Sequence, residues 1–277
     1  MFGLVSWSEH VSTGSRVSVD GVDVFYVERG VGSAVVFLHG WAASSFSWRL
    51  NIPTVAKHFR AIAVDLPGFG LSMKPSEGLN LSTVTEILLK FLKGLGVERF
   101  SLVGHSMGGA VAAHVAAAYP EKVEKLILVN PSLFGADSGR RPLAMELARN
   151  RLLSGLMTRL LVRKYFIKRV LQDIYVDKSV LSDEVVEGYY ESVRRAGPVL
   201  VEAVKIWGEF DSYSVYAIKC PKLFVLGEKD NIVPFRKNLE LAEKIGAEIH
   251  VEPMAGHSVH EEKAEIFNEV ILRFLRS

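Results

Sequence analysis

Residues 102–116 read LVGHSMGGAVAAHVA, a short apolar run that turns at a serine into a segment of small residues. Gly104, Ser106 and Gly108 fit the GxSxG pattern, in which the serine occupies a tight, strained turn between a strand and a helix. The glycines let strand and helix approach without a Cβ clash, so the serine hydroxyl projects above the sheet. The turn also aims the Met107 amide and the helix N-terminus at a developing oxyanion. The stretch predicts a nucleophilic serine, because a turn used only for packing would not require a serine at its apex.

Further short strand-like runs follow along the chain, most of them rich in apolar residues: AVVFL (34–38), AIAV (61–64), KLILVN (125–130), KLFVLG (222–227) and EIHVE (248–252). Strands that lack polar alternation are buried on both faces, as in a parallel sheet covered by helices. Near the start, Asp20-Gly21 suits a hairpin turn between two antiparallel strands at the sheet's edge. Thr83 and Glu86 fit a capping box at the start of an intervening helix. The sequence therefore predicts an α/β fold with helices on both faces of the sheet.

The alternation of strands and helices stops between residues 134 and 213, where the pattern is helical throughout. We interpret residues 134–213 as a helical insertion over a core made of residues 1–133 and 214–277. Within it, residues 140–169 carry nine basic side chains against one acid, interleaved with apolar ones. A solvated basic face of an ordinary helix is favoured over contact with an anionic membrane surface.

The loop after the run at 34–38 begins His39-Gly40-Trp41. A glycine here allows the loop to fold back over the sheet, so that the Trp41 amide supplies a second oxyanion donor beside that of Met107. His39 is expected to brace this loop rather than to perform chemistry.

A serine hydroxyl is a weak nucleophile at neutral pH and needs a general base, for which histidine is the usual choice. Of the eight histidines, His257 stands in a loop after the last strand-like run, where Gly256 lets it swing over the sheet edge. His105 adjoins the serine but is expected to point elsewhere, and His260 is interpreted as a residue at a helix start. The order HxxHE at 257–261 matches neither of the zinc-protease motifs HExxH and HxxEH, so no metal site is predicted.

The carboxylate that orients the histidine should come from the end of a neighbouring strand. Asp230 ends the run before the histidine loop and gives the chain order Ser, Asp, His, which is typical of one of the known triad arrangements. Glu228 and Asp137 remain alternatives for this role.

The composition excludes several classes of protein. The 33 basic and 31 acidic residues are too balanced for a nucleic-acid surface, and the single cysteine, Cys220, excludes an internal disulfide. The apolar runs are shorter than the roughly 18 residues of a membrane span, and the N-terminus lacks the order of a secretory signal, so we expect a cytoplasmic protein. The composition, with a single glutamine and abundant charged residues, favours a protein from an organism that grows at high temperature.

Taken together, the motifs at 39–41, 65–72 (DLPGFGLS), 104–109 (GHSMGG), 227–234 (GEKDNIVP) and 256–262 (GHSVHEE) resemble the α/β-hydrolase superfamily over nearly the whole chain. The resemblance implies an eight-stranded, mostly parallel sheet, with the insertion as a cap over the active site. It also implies that Ser106, Asp230 and His257 form the triad, with the amides of Trp41 and Met107 as oxyanion donors.

The resemblance further separates branches of the superfamily. Epoxide hydrolases and haloalkane dehalogenases use an aspartate where this chain has Ser106, which disfavours those reactions. Meta-cleavage carbon–carbon bond hydrolases look similar in size and cap but typically place a tryptophan after the catalytic histidine, where this chain has Ser258. GHSMGG resembles the elbow of monoacylglycerol lipases and small carboxylesterases, and the HGWAASS loop is closer to esterases and cofactor-free peroxidases.

The favoured hypothesis is hydrolysis of small-molecule carboxylic esters with an apolar acyl group, through an acyl-enzyme and without metal or organic cofactor. Hydrolysis of carbon–carbon bonds and cofactor-free peroxidase chemistry are alternatives on the same fold. A non-catalytic, ligand-sensing protein is the alternative of another class, since fold does not guarantee activity.

Overall fold

The computed structural model describes residues 5–134, 162–203, 206 and 209–277. Within these ranges eight strands form one sheet in the order β1-β2-β4-β3-β5-β6-β7-β8. The hairpin strands β1 and β2 are antiparallel at one edge, β2 is antiparallel to β4, and all other neighbours are parallel. The strands are β1 (Gly14–Val19), β2 (Val22–Arg29), β3 (Ala34–Leu38), β4 (Arg60–Val64), β5 (Phe100–His105), β6 (Val123–Val129), β7 (Lys222–Gly227) and β8 (Glu248–Glu252). The predicted α/β fold with an eight-stranded, mostly parallel sheet is confirmed.

The central strands are buried because both faces of the sheet carry apolar side chains. All five residues of β3 are buried, and alternate residues serve different layers. Val36 and Leu38 belong to one apolar cluster, whereas Val35 and Phe37 belong to another. This period of two is the geometry of an extended strand, so the unbroken apolar runs of the sequence supply two cores at once.

Helices cover both faces of the sheet. Those described are α1 (Trp7–Ser12), α2 (Ile52–Val55), α3 (Leu81–Gly94), α4 (Met107–Ala118), α5 (Lys164–Ile174), α6 (Asp183–Ala196), α7 (Val199–Glu202), α8 (Phe235–Lys244), α9 (Val259–Glu262) and α10 (Ala264–Arg276). Helices α3, α4 and α8 contribute to the first cluster, and α2 and α10 to the second.

The start of α3 differs from the sequence prediction. The helix begins at Leu81, and Asn80 rather than Thr83 is its N-cap, with Asn80 Oδ1 accepting the Thr83 N–H at 2.8 Å. The capping box at Thr83 and Glu86 was therefore wrong by one turn. Asparagine caps a helix as well as threonine does, and capping at Asn80 lets the apolar stripe start at the buried Leu81.

Between β6 and β7 the described residues form helices and no strand. We call residues 134–213 the insert. Helices α5 and α6 share a small apolar cluster that includes Ile167, Leu171 and Val186. Residues 140–161 of the predicted basic stretch lie outside the described residues.

Basic side chains of α5 form ion pairs on the surface of the insert. Lys164 pairs with Glu187, and Lys168 Nζ lies 3.3 Å from Asp183 Oδ1, both acids being on α6. These contacts agree with a solvated charged face on this helix. No helix in the described ranges combines the length and the apolar character that crossing a bilayer demands.

Candidate active site

Ser106 lies at the turn between β5 and α4 with a strained backbone. Its φ of 52° and ψ of −115° fall in a region that side chains other than glycine rarely adopt. Two backbone hydrogen bonds hold the turn: the Ser106 N–H donates to Val129 O, and the Ser106 carbonyl accepts the Ser132 N–H, each at 3.0 Å. The strain therefore persists because the end of β6 fixes the serine from both sides.

Neighbouring atoms approach the glycines around this turn so closely that a Cβ would not fit. A Cβ on Gly108 would lie 2.4 Å from Leu38 O, and a Cβ on Gly104 would lie 2.4 Å from Gly108 O. A Cβ on Gly40 would come within 3.2 Å of Ser106 Cβ. The loop that follows β3 thus packs directly on the serine turn, as the sequence predicts.

His39 is fully buried beneath that loop. Its Nε2 accepts the Leu66 N–H at 3.0 Å, so Nδ1 carries the proton and donates to Gly40 O at 2.7 Å. Burial lowers the pKa of His39 to about 4, which keeps the ring neutral. The ring therefore links the Gly40 loop to the loop after β4.

The two predicted oxyanion donors occupy positions suited to that role. Met107 is the first residue of α4, where backbone N–H groups have no carbonyl partner within the helix. Trp41 follows Gly40 on the loop that packs against Ser106, and its indole Nε1 donates to Leu200 O of the insert at 2.8 Å. The role of both amides as oxyanion donors stays a prediction.

Asp230 and His257 meet beyond the ends of β7 and β8. His257 Nδ1 lies 2.8 Å from Asp230 Oδ2, and the Asp230 side chain is fully buried. The other Asp230 oxygen accepts the N–H groups of Ile232 at 2.7 Å and Val233 at 3.0 Å. Because the carboxylate receives the Nδ1 proton, Nε2 of His257 is left as an acceptor. In the structure, Asp230 is the hydrogen-bond partner of the His257 ring, and Ser106 Oγ is not bonded to it.

The backbone of His257 is held beside the serine turn. The His257 carbonyl accepts hydrogen bonds from His105 Nε2 at 2.9 Å and from Asn130 Nδ2 at 2.8 Å. Since His105 precedes Ser106 directly, these bonds bring the loop of the predicted base against the turn of the predicted nucleophile.

Asn130 is a site residue that sequence reasoning missed. It directly follows β6 and has a positive φ of 40°, a conformation that asparagine tolerates better than most residues. Its Nδ2 donates to Gly256 O and His257 O, and its Oδ1 accepts the Gly227 N–H at 2.9 Å. An asparagine closing the apolar run KLILVN was the signal available in the sequence.

Three histidine rings lie in a row behind the site. The His105 centroid is 4.7 Å from that of His257 and 4.6 Å from that of His260. As expected, His105 does not take the position of the general base; its ring packs beside His257 and binds that residue's carbonyl. Burial holds the pKa of His105 well below its usual range and lowers that of His260 to about 4. Both rings are neutral supports for the His257 loop.

The alternatives to Asp230 do not occupy its place. Glu228 precedes Asp230 on the same loop, where its N–H donates to Glu252 O, and its side chain is not bonded to His257. Asp137 lies outside the described residues. In the part of the chain that the structure describes, no three potential metal ligands converge.

The chain resembles known proteins over most of its length. A family model described as alpha/beta hydrolase fold matches residues 33–264. The chain is 33% identical over 272 residues to a 2-hydroxy-6-oxo-6-phenylhexa-2,4-dienoate hydrolase of Comamonas testosteroni, with 91% of each protein covered. A 2-hydroxy-6-oxononadienedioate/2-hydroxy-6-oxononatrienedioate hydrolase of the same organism is 32% identical over 275 residues, which cover 90% of this chain and 89% of the relative.

A solved structure of a bromoperoxidase from Bacillus anthracis has a TM-score of 0.82 with this chain at 22% identity. The match covers 95% of this chain and 100% of that one. At this level of identity the likeness concerns the fold alone.

Proposed function

Since the chain belongs to the α/β-hydrolase family, as its motifs predict, we propose that it is a serine hydrolase that cleaves carboxylic esters of small molecules. Ser106 is the nucleophile, His257 the general base and Asp230 the carboxylate that orients the base. The hydrogen bond of 2.8 Å between His257 Nδ1 and the buried Asp230 carries this proposal, because it leaves Nε2 free to take a proton.

The proposed cycle has two halves. Ser106 Oγ attacks the ester carbonyl while His257 Nε2 accepts its proton, and the amides of Met107 and Trp41 stabilise the oxyanion. The protonated ring then gives its proton to the leaving alcohol, which leaves an acyl-enzyme. Water activated by the same ring hydrolyses the acyl group, so no metal or organic cofactor takes part.

We propose that the insert, residues 134–213, is the cap that covers the substrate, over a core of residues 1–133 and 214–277. Helix α7 supports this, since a Cβ on Gly68 would lie 2.9 Å from Val199 Cγ1, and Leu200 O accepts the Trp41 indole. The insert thus contacts the loop that carries a proposed oxyanion donor. The apolar side chains of this helix favour an apolar acyl group.

A second candidate is hydrolysis of a carbon–carbon bond in a 2-hydroxy-6-oxo-dienoate. It is favoured by the two relatives above, which are named as hydrolases of such compounds and are 33% and 32% identical to this chain. The residue after His257 argues against it, because Ser258 stands where those hydrolases typically carry tryptophan. Both reactions would use the same serine, base and oxyanion donors.

Replacing Ser106 with alanine tests the proposal. We expect Ser106→Ala to abolish ester turnover and labelling by a fluorophosphonate, with the circular dichroism spectrum unchanged, because the substitution removes a single small hydroxyl. Ser82→Ala on α3, an exposed serine, is the matched control and should keep full activity.

A panel of esters from acetyl to long-chain acyl, assayed beside a 2-hydroxy-6-oxo-dienoate, separates the two candidate reactions. Ester hydrolysis by Ser106→Ala at the wild-type rate would refute the assignment. A folded wild-type protein that fails to react with the fluorophosphonate would favour the non-catalytic, ligand-sensing alternative.

A further inference from the structure

The last residue of α9, Glu262, joins the loop of His257 to the insert. The side chain is buried, and each carboxylate oxygen accepts backbone N–H groups from a different segment. Oε1 accepts the Gly256 N–H at 2.9 Å. Oε2 accepts the N–H groups of Val176 at 2.8 Å and Asp177 at 3.0 Å. Hydrogen bonds to a charged acceptor are among the stronger ones in proteins, so this carboxylate connects the two segments firmly.

The segment of the insert that receives Glu262 also contacts the loops of the proposed base and acid. We call residues 173–177 the docking segment. Its Ile174 O accepts the His257 N–H at 3.5 Å and would lie 2.6 Å from a Cβ on Gly256. Asp173 O accepts the side-chain amide of Asn231, the neighbour of Asp230, at 2.8 Å. The docking segment therefore lies directly on both loops.

A second buried carboxylate strengthens the same junction. Glu261 forms an ion pair with Arg49 of the core and accepts the hydroxyls of Tyr175 at 2.7 Å and Tyr189 at 2.5 Å. Burial is the largest effect on Glu261 and raises the pKa of its carboxyl, but Arg49, His260 and the two tyrosine hydroxyls together outweigh it, so the pKa is lowered. Glu261 binds insert side chains, whereas Glu262 binds the backbone of Gly256, the residue next to His257.

We propose that Glu262 is a positioning residue, through which the alignment of His257 depends on the docking segment of the insert. The inference rests on the proposed role of His257 as general base. When the docking segment lies on the core, Glu262 fixes the Gly256 N–H and with it the backbone that presents the imidazole. When the segment lifts, the carboxylate loses two of its three donors and the His257 loop loses the Ile174 carbonyl. The base is therefore aligned only under a docked insert.

Glu262→Gln tests this with minimal change in shape. An amide has one acceptor oxygen, so it can satisfy Gly256 or the docking segment but not both. We expect kcat for an ester substrate to fall about 100-fold with KM nearly unchanged, since a misplacement of about 1 Å can cost that much. Amide hydrogen exchange should become faster in both 173–177 and 254–258. Glu265→Gln, the same charge change at an exposed position of α10, should change neither readout.

Asn231→Ala provides a second variant that leaves Glu262 in place and alters an exposed side chain. It removes the bond to Asp173 O and should lower kcat about fivefold, the equivalent of one hydrogen bond, with faster exchange in the docking segment. The proposal is overturned if folded Glu262→Gln keeps kcat within about twofold of wild type, or if exchange rises in only one segment. If Glu262→Gln does not fold, an unchanged kcat in Asn231→Ala overturns it.

Failure of the proposed function gives a different result. A wild-type chain that hydrolyses no ester and does not react with a fluorophosphonate refutes the catalytic role of Ser106 and His257. The exchange data then still decide whether Glu262 couples the two segments.

Discussion

At the scale of single residues, the side chain of Asn130 offers the clearest test of how the loop of His257 is held. Its side chain supports the ends of two loops, with Nδ2 on Gly256 O and His257 O and Oδ1 on the Gly227 N–H. Aspartate tolerates the positive φ of this position and keeps the acceptor, but it cannot donate to the two carbonyls.

We expect Asn130→Asp to lower kcat by about 100-fold, because the base shifts relative to the serine turn. The substitution leaves Gly256 O without this donor and places a carboxylate oxygen beside it, whereas His257 O keeps the bond from His105 Nε2; the loss should cost about 1–3 kcal/mol of unfolding free energy. Steady-state kinetics and urea denaturation measure the two effects. Asn130→Gly, which keeps the backbone and removes all three hydrogen bonds, should be at least as inactive, and wild-type kcat in either variant would contradict the role given to this side chain.

The sequence could identify Ser106, Asp230 and His257 as candidates because each stands in a local motif next to a strand end. It could not identify Asn130 or Glu262, since their roles depend on partners that are close only in the folded chain. Asn130 and Gly256 are 126 positions apart, and Glu262 and Val176 are 86 apart. The supporting contact of His105 was missed for the same reason, because its partner is a carbonyl 152 positions away.

At the scale of elements, the packing of α4 on the sheet depends on Gly108. A Cβ on Gly108 would lie 2.4 Å from Leu38 O and 2.5 Å from His39 O, both backbone atoms that cannot move aside. We expect Gly108→Ala to destabilise the fold by about 1–3 kcal/mol, as for other overpacked sites, and to lower activity by displacing the serine turn. Thermal denaturation and ester kinetics check this.

Gly94, the last residue of α3, is the matched control. The nearest atom to an added Cβ is 3.9 Å away, and the backbone there is helical. Gly94→Ala should stabilise the protein by about 0.4–1 kcal/mol, because alanine loses less conformational entropy on folding. Equal destabilisation by both substitutions would argue that close approach is not what selects glycine at 108.

Strands were the easiest elements to predict, because an unbroken apolar run between turn residues is too short for most helices and has the length of a buried strand. The start of α3 was less certain, since a cap can be supplied by any of several polar residues, and Asn80 replaced Thr83 for that reason. Periodicity predicted that the insert is helical, but not that residues 173–177 lie on the histidine loop. That contact is made by backbone groups that nearly every residue carries.

At the scale of the whole molecule, buried neutral histidines predict sensitivity to acid. Burial lowers the pKa of His39 and His260 to about 4 and that of His10 to about 3, against 6.5 without burial. The unfolded chain then binds more protons than the folded chain below about pH 6.5, so stability is full above that pH and falls as the pH approaches 4. Burial raises the pKa of Asp65 to about 6, which works in the opposite direction and offsets part of the loss.

Each fully buried histidine ring should lower the free energy of unfolding by about 2 kcal/mol as the pH falls from 6.5 to about 5, at about 1.4 kcal/mol per pKa unit. After the offset from Asp65 we expect Tm to fall by about 5–10 °C between about pH 7.5 and about pH 5. Differential scanning fluorimetry over this range measures it. His260→Phe should reduce the slope, whereas His58→Gln at an exposed position should not, and an equal effect of the two would show that buried rings are not the cause.

The indole of Trp41, bonded to Leu200 O, fixes the insert to the core at a point remote in sequence from residues 173–177. The insert thus contacts both the loop of the proposed oxyanion donor Trp41 and the loop of the proposed base His257. An insert from another protein could therefore not replace it without preserving these contacts. A chimera that grafts a relative's insert onto this core would transfer selectivity only if it also brought an acceptor for the indole and backbone donors for the Glu262 carboxylate. Variation of substrate range in such a chain is constrained by compatibility at these two contacts as much as by the shape of the pocket.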